Sequence, residues 1–161
     1  MTTTLPPRRG PRPTTTPTNP HTQLDQQPDD LDQRQRLAEI VFTLDGVREQ
    51  ESLISVPGAR ALWLELGADG PDEAFMAGHE FAHLHPGDDQ SLHLMLPEPL
   101  AREAMEAGWA ELHPVARQGL LPPTAVMVYA PRDDQEREVV EALVRASHAF
   151  ARGEERPGPR D

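Results

Sequence analysis

Two short runs, Phe81 to His85 and Ser91 to Leu96, constrain this chain more than any other part of it. Both alternate along their length, and Pro86-Gly87-Asp88-Asp89-Gln90 between them is turn chemistry, so the pair is predicted as a β-hairpin. Side chains alternate faces along a strand. With His85 opposite Ser91, His83 falls opposite His93. Ala82, Leu84, Leu92, Leu94 and Leu96 then form one apolar face, the core side. Phe81, His83, His85, His93 and Met95 share the other. A slip of two residues in the pairing leaves every residue on its own face.

Elements that can cover the leucines lie on both sides of this hairpin. Upstream, Asp29 or Asp30 can cap a helix carrying Leu37, Ile40, Val41 and Leu44 at helical spacing, with Gly46 as its stop. Strands are predicted from Ser52 to Val56 and from Ala61 to Leu66, joined at Pro57-Gly58. Residues 72–77 are read as a helical turn. Downstream, Pro99 opens a helix that runs through Ala107, and Gly108 ends it. Trp109 to Pro114 is extended, because a residue before proline avoids the helical region. Ala125 to Ala130 is a strand. Asp133 caps a last helix to Ala151, whose buried stripe is Val139, Val140, Leu143, Val144, Ser147 and Phe150. The predicted order is α-β-β-β-β-α-β-α. The fold class is α+β, a mostly antiparallel sheet with helices packed on one face.

Length allows one domain with tails, assigned to residues 31–152 of the 161. The first twenty residues hold seven Thr, six Pro and three Arg, with no acid. Proline blocks helix and sheet, and little apolar surface is present to offset ordering entropy. Residues 1–30 are therefore expected to be a disordered tail without function, His21 included, and residues 153–161 a second polar tail.

Composition excludes several chemistries. There is no Cys, so no disulfide, thiolate ligand or catalytic thiol exists. All 15 basic residues are Arg, which removes Schiff-base and P-loop lysines. A net charge of −12 without a basic stripe argues against nucleic acid and anionic membranes. No apolar run approaches the ~20 residues of a membrane helix, and none resembles a signal peptide. The expected location is cytoplasmic, with no protein partner implied. The all-Arg, Pro-rich composition points to a bacterial source.

Chemistry concentrates on the histidine face. Cross-strand neighbours have Cβ atoms ~5 Å apart, so three imidazoles come within reach of one small molecule or ion. Phe81 and Met95 are expected to wall the pocket. A solvated hairpin face is the bland alternative. His79 has the right parity but sits beside a turn, and His148 is expected to be structural or exposed.

The runs Glu80-Phe81-Ala82-His83-Leu84-His85 and Ser91-Leu92-His93-Leu94 resemble the luciferase-like domain family that includes the fungal luciferases. So do Gly108-Trp109, His113-Pro114 and Tyr129-Ala130-Pro131-Arg132. The likeness covers roughly Ala74 to Phe150. It implies oxidation of a hydroxylated α-pyrone by O₂ with loss of CO₂ and light emission, without flavin or metal. It also implies a role for His83, His85, His93, Trp109, His113, Tyr129 and Arg132. The family's N-terminal hydrophobic segment has no counterpart in the polar Pro/Thr stretch here.

Three functions follow as expectations. The first is a cofactor-independent oxygenase or decarboxylase of an enolic or phenolic molecule, with molecular oxygen as co-substrate. In it His83 or His93 is the base, the other histidines with Arg132 hold the anion, and Trp109 and Tyr129 stack on the ring. The second is a His-ligated metal site for Zn²⁺ or Fe²⁺ at His83, His85 and His93, with His113 as a further ligand. The third is a small-ligand-binding module without catalysis.

Overall fold

The computed structural model describes residues 4–154, so the chain from 155 onward, where the second tail was expected, lies outside the described residues. Its elements run α1 (Asp32–Val41), β1 (Val47–Glu51), β2 (Arg60–Leu64), β3 (Glu80–Leu84), β4 (Leu92–Met95), α2 (Glu98–Glu106), β5 (Ala110–Leu112), α3 (Pro114–Arg117), β6 (Ala125–Val128) and α4 (Asp134–Ala151). The six strands form one antiparallel sheet in the order β1-β2-β3-β4-β6-β5. The α+β class and the predicted element order hold. The extended segment at Trp109 adds β5, and the short α3 follows it.

The hairpin pairs as the alternation requires, with Ala82 opposite Leu94, His83 opposite His93 and Leu84 opposite Leu92. Its apolar face meets α1, α2 and α4 in one core that joins Leu37, Leu84, Leu94, Val126, Val128 and Leu143. Asp133 caps α4 by accepting the Glu136 amide at 2.9 Å. Ser147, on the buried side of that helix, donates to the Met95 carbonyl at 2.6 Å and ties α4 to the end of β4.

Three expectations are corrected. The first strand lies at Val47–Glu51 and not at Ser52 to Val56. Gly46 reverses the chain directly before it: φ is +76°, and a Cβ there would stand 2.6 Å from the Leu66 carbonyl oxygen. β1 is an edge strand bearing Arg48, Glu49 and Glu51, charges that keep an open edge from pairing with other chains. Residues 52–58 become a loop beside the histidine face.

The second correction concerns Phe81. Leu62 pairs with Ala82, but Trp63 pairs with Glu80, so β3 carries one extra residue. Such a bulge reverses the facing of what precedes it. Phe81 turns into the helical core, its ring centroid 5.9 Å from that of His148. Glu80 takes the place beside His83.

The third concerns the N-terminal stretch. Residues from Leu5 onward lie against the domain as an arm, with Arg8, His21 and Gln23 buried. Thr15 and Gln23 bridge to make the arm a narrow hairpin. The Ala130 amide donates to Gln23 Oε1 at 2.8 Å, and the Trp109 indole donates to the Pro6 carbonyl at 2.6 Å. Composition predicted no order because the segment has little apolar surface of its own. Its order comes from polar groups that the domain presents to it.

Candidate functional site

On the face away from the helices, Ala61, His83, His93, Met127 and Glu111 stand in one row across β2, β3, β4, β6 and β5. His85 follows β3 directly, and His113 precedes α3. The arm brings His21 down onto the row, so five imidazoles meet. His93 is central. Its Nδ1 is 3.1 Å from His83 Nε2 and 2.9 Å from His85 Nε2, and its Nε2 is 2.9 Å from His21 Nδ1. The His93 and His113 ring centroids are 4.7 Å apart.

Two carboxylates stand behind these rings. Glu80, fully buried, accepts from His83 Nδ1 at 2.8 Å, the Ser52 hydroxyl at 2.6 Å and the Leu53 amide at 2.9 Å. Glu111 accepts from His21 Nε2 at 2.7 Å, the Thr15 hydroxyl at 2.7 Å and the Tyr129 phenol at 2.8 Å. Burial pushes the Glu111 carboxyl up, but the bonds from His21, Thr15 and Tyr129 outweigh it and hold it below its ordinary value. His85 donates through Nδ1 to the Ser91 carbonyl at 2.8 Å. His113 accepts the Val115 amide on Nδ1 at 3.0 Å.

Three of the rings, His85, His93 and His113, are held neutral. Burial, then the neighbouring imidazoles, lower His85 to about 3 and His113 to about 4. The same causes, burial first, hold His93 well below the ordinary histidine value. Burial and the Glu111 bond raise the Tyr129 phenol to about 12, so it stays a donor.

A cavity of about 580 Å³ opens over the cluster. His21, His83, His85, His93 and His113 line it, and Ile54 and Val56 of the loop after β1 supply apolar wall. Ile54 is 48% exposed, which leaves an apolar edge at the mouth.

The residues predicted for this site divide. His83, His85, His93 and His113 converge. Met95 does lie on the histidine side but is sealed in a small cluster with Ala116 and Ala125, away from the cavity. Phe81 faces the helices. Trp109 is buried in the helical core, because the chain at Gly108 turns its indole toward the arm. Tyr129 touches the cluster only through Glu111. Arg132 is engaged by Glu136 at 2.6 Å and donates to the Arg9 carbonyl, on another surface. His79 bonds the Leu64 carbonyl between Trp63 and Phe75, and His148 bonds the Asp45 carbonyl at 2.7 Å.

Sequence reasoning missed His21, Glu80, Glu111, Ile54 and Val56. Glu80 stands three residues before His83, on the wrong parity for an unbroken strand, so only the bulge reveals it. Glu111 and His113 share the parity of one extended run, a signal that was available. His21 in a Pro/Thr stretch carried none.

Among the described residues, no helix is long and apolar enough to cross a membrane. The chain's Luciferase domain match spans residues 78–147. Luciferases of Armillaria gallica and Armillaria mellea are each 34% identical to it over 91% of this chain and 60% of theirs. The luciferase of Neonothopanus nambi is 41% identical over 44% of this chain and 27% of its own. The chain thus spans about three-fifths of the length of the Armillaria relatives. These relatives are fungal, where composition pointed to bacteria. No solved structure matches. The matched segment holds His79, His83, His85, His93 and His113 and both strands of the central hairpin, so the histidine face lies within the part of the chain that is similar to the Luciferase domain.

Proposed function

We propose that the protein is an enzyme that oxidises an enolic or phenolic small molecule with molecular oxygen at the cavity floor. The observation that carries this is the set of imidazoles that converge beneath an apolar-walled cavity, with His83 Nε2 and His85 Nε2 both turned toward His93. The named luciferase relatives support the reaction class. A flat ring fits against Ile54 and Val56, with its hydroxyl toward the histidines. His83 is the best-placed base, because Glu80 fixes its tautomer and stabilises the imidazolium that forms. The enol O–H gives its proton to His83, and the enolate carbon forms a C–O bond with O₂. The proton then returns to the peroxide, so enol plus O₂ gives a hydroperoxide. Arg132 has no part in this, since it lies on another surface.

The test is oxygen consumption with pyrone and polyphenol substrates. Uptake by the wild type and a loss of about 10²–10⁴-fold in His83→Ala is the expected result. Absence of uptake across the substrate set ends the enzyme reading, and ligand binding retained under those conditions makes the protein a binding module.

A further inference from the structure

The hydrogen bonds around His93 leave too few protons for the nitrogens that meet there. His83 Nδ1–H donates to Glu80, so its Nε2 is a lone pair. His85 Nδ1–H donates to the Ser91 carbonyl, so its Nε2 is also a lone pair. His21 Nε2–H donates to Glu111, so its Nδ1 is a third. These three close on the two nitrogens of His93, which as a neutral ring has one N–H. A proton on Nε2 serves His21 and leaves Nδ1 facing two lone pairs at 2.9 and 3.1 Å. A proton on Nδ1 serves one of those two and leaves Nε2 against His21 at 2.9 Å. Uncompensated polar groups are costly when buried, and a cation at the junction of the lone pairs removes the conflict.

We propose that His83 Nε2, His85 Nε2 and His93 Nδ1 hold a divalent first-row transition-metal ion whose open side faces the cavity. The three atoms lie within 4.8 Å of one another. Their separations of 2.9 and 3.1 Å from His93 approach the roughly 3.3 Å between ligands of a tetrahedral ion with bonds of about 2.0–2.1 Å. Each ligand has the outer partner that fixes a metal-binding tautomer: Glu80 for His83, the Ser91 carbonyl for His85, and His21 backed by Glu111 for His93. The two carboxylates balance the ion's two positive charges. An all-imidazole donor set suits Zn²⁺, Fe²⁺ or Co²⁺ rather than Mg²⁺ or Ca²⁺.

The competing triad His21, His93 and His113 is also within 4.8 Å. It fails on protons, because His113 Nδ1 accepts the Val115 amide and its proton therefore sits on Nε2. His21 is thus a positioning residue, delivered by the arm. The ion site rests on this geometry alone. That it holds the enol oxygen rests on the oxygenase reading; with the ion seated, His83 Nε2 is a ligand, so the enol loses its proton to solvent in the cavity and not to His83, and solvent returns it to the peroxide.

The test uses the full chain, untagged, stripped with chelator and titrated with Zn²⁺ by calorimetry and with Co²⁺ by visible absorption. One ion per chain is expected, with Co²⁺ bands of nitrogen coordination. His93→Ala abolishes the site, Glu111→Gln weakens it about 10–100-fold, and His113→Ala leaves affinity unchanged. Circular dichroism checks each fold; should His93→Ala not fold, the contrast between Glu111→Gln and His113→Ala decides. Failure to take up either ion overturns the proposal, as does uptake that survives in His93→Ala or falls equally in His113→Ala and Glu111→Gln. Oxygen uptake separates the two readings. Stoichiometric ion without turnover keeps the site and removes the oxidation, and turnover by stripped protein that binds no ion does the reverse.

Discussion

His85, His93 and His113 titrate well below where they would in the unfolded chain, and that difference is measurable as stability. In ion-free protein, burial first and the other rings second lower His85 to about 3 and His113 to about 4, with His93 also well below 6.5. The unfolded chain binds these protons near pH 6.5. From about pH 6.5 down to 4 the unfolded state therefore holds more protons. Stability is fully present above that window and is lost as pH falls through it, by about 1.4 kcal/mol per pH unit for each fully buried histidine. Urea titrations in chelator between pH 7 and 5 should show this slope. His85→Asn should reduce it by one proton, and an unchanged slope in that variant contradicts the account. The pairing of His83 with His93 was legible in the sequence because alternation has a fixed period of two. The groups that fix the rings were not, because Glu80 and Glu111 act through contacts that no spacing rule encodes.

Elements were legible where period and cap agree, and illegible where a single residue breaks the period. α4 shows the first case. Asp133, its acidic first turn and its apolar stripe all name the helix, and the structure caps it as expected. Asp133→Ala removes the bond to the Glu136 amide and the ion pair with Arg9. It should cost about 1 kcal/mol, read as a lower urea midpoint with an unchanged m-value. A neutral substitution would mean that the bonds with Gln33 of α1 and the Arg132 amide's bond to the Glu136 carboxylate already hold the first turn. β3 shows the second case. One extra residue moves Phe81 into the core and Glu80 onto the site, so the pocket wall comes from Ile54 and Val56 and not from the hairpin. Strand β1 was displaced for a related reason: the apolar run after it belongs to the loop that Glu80 holds through Ser52 and Leu53.

At the scale of the whole molecule, α1, α2 and α4 cover one side of the sheet, while the arm starts beside α2 and crosses to the other side, where it lies over the site near α3. The arm contributes little apolar burial, so its seating depends on a succession of polar bonds: Arg8 to the Ala107 carbonyl at 2.9 Å, Arg12 to the Ala110 carbonyl at 2.9 Å, Thr15 and His21 to Glu111, and Gln23 to the Ala130 amide at 2.8 Å. Each such bond is worth about 1 kcal/mol net, and the backbone entropy of ordering the segment offsets much of the sum. Removal of residues 1–22 also leaves Glu111 and His93 without partners, a loss that entropy does not return. The expected net cost is therefore about 3 kcal/mol, or roughly 10 °C in melting temperature for a chain of this size. His21→Ala should reproduce part of that loss while keeping the rest of the arm protected in amide hydrogen exchange. A truncated chain that melts with the full-length protein would return the arm to the disordered tail that its composition suggests, and would remove His21 from the support of His93.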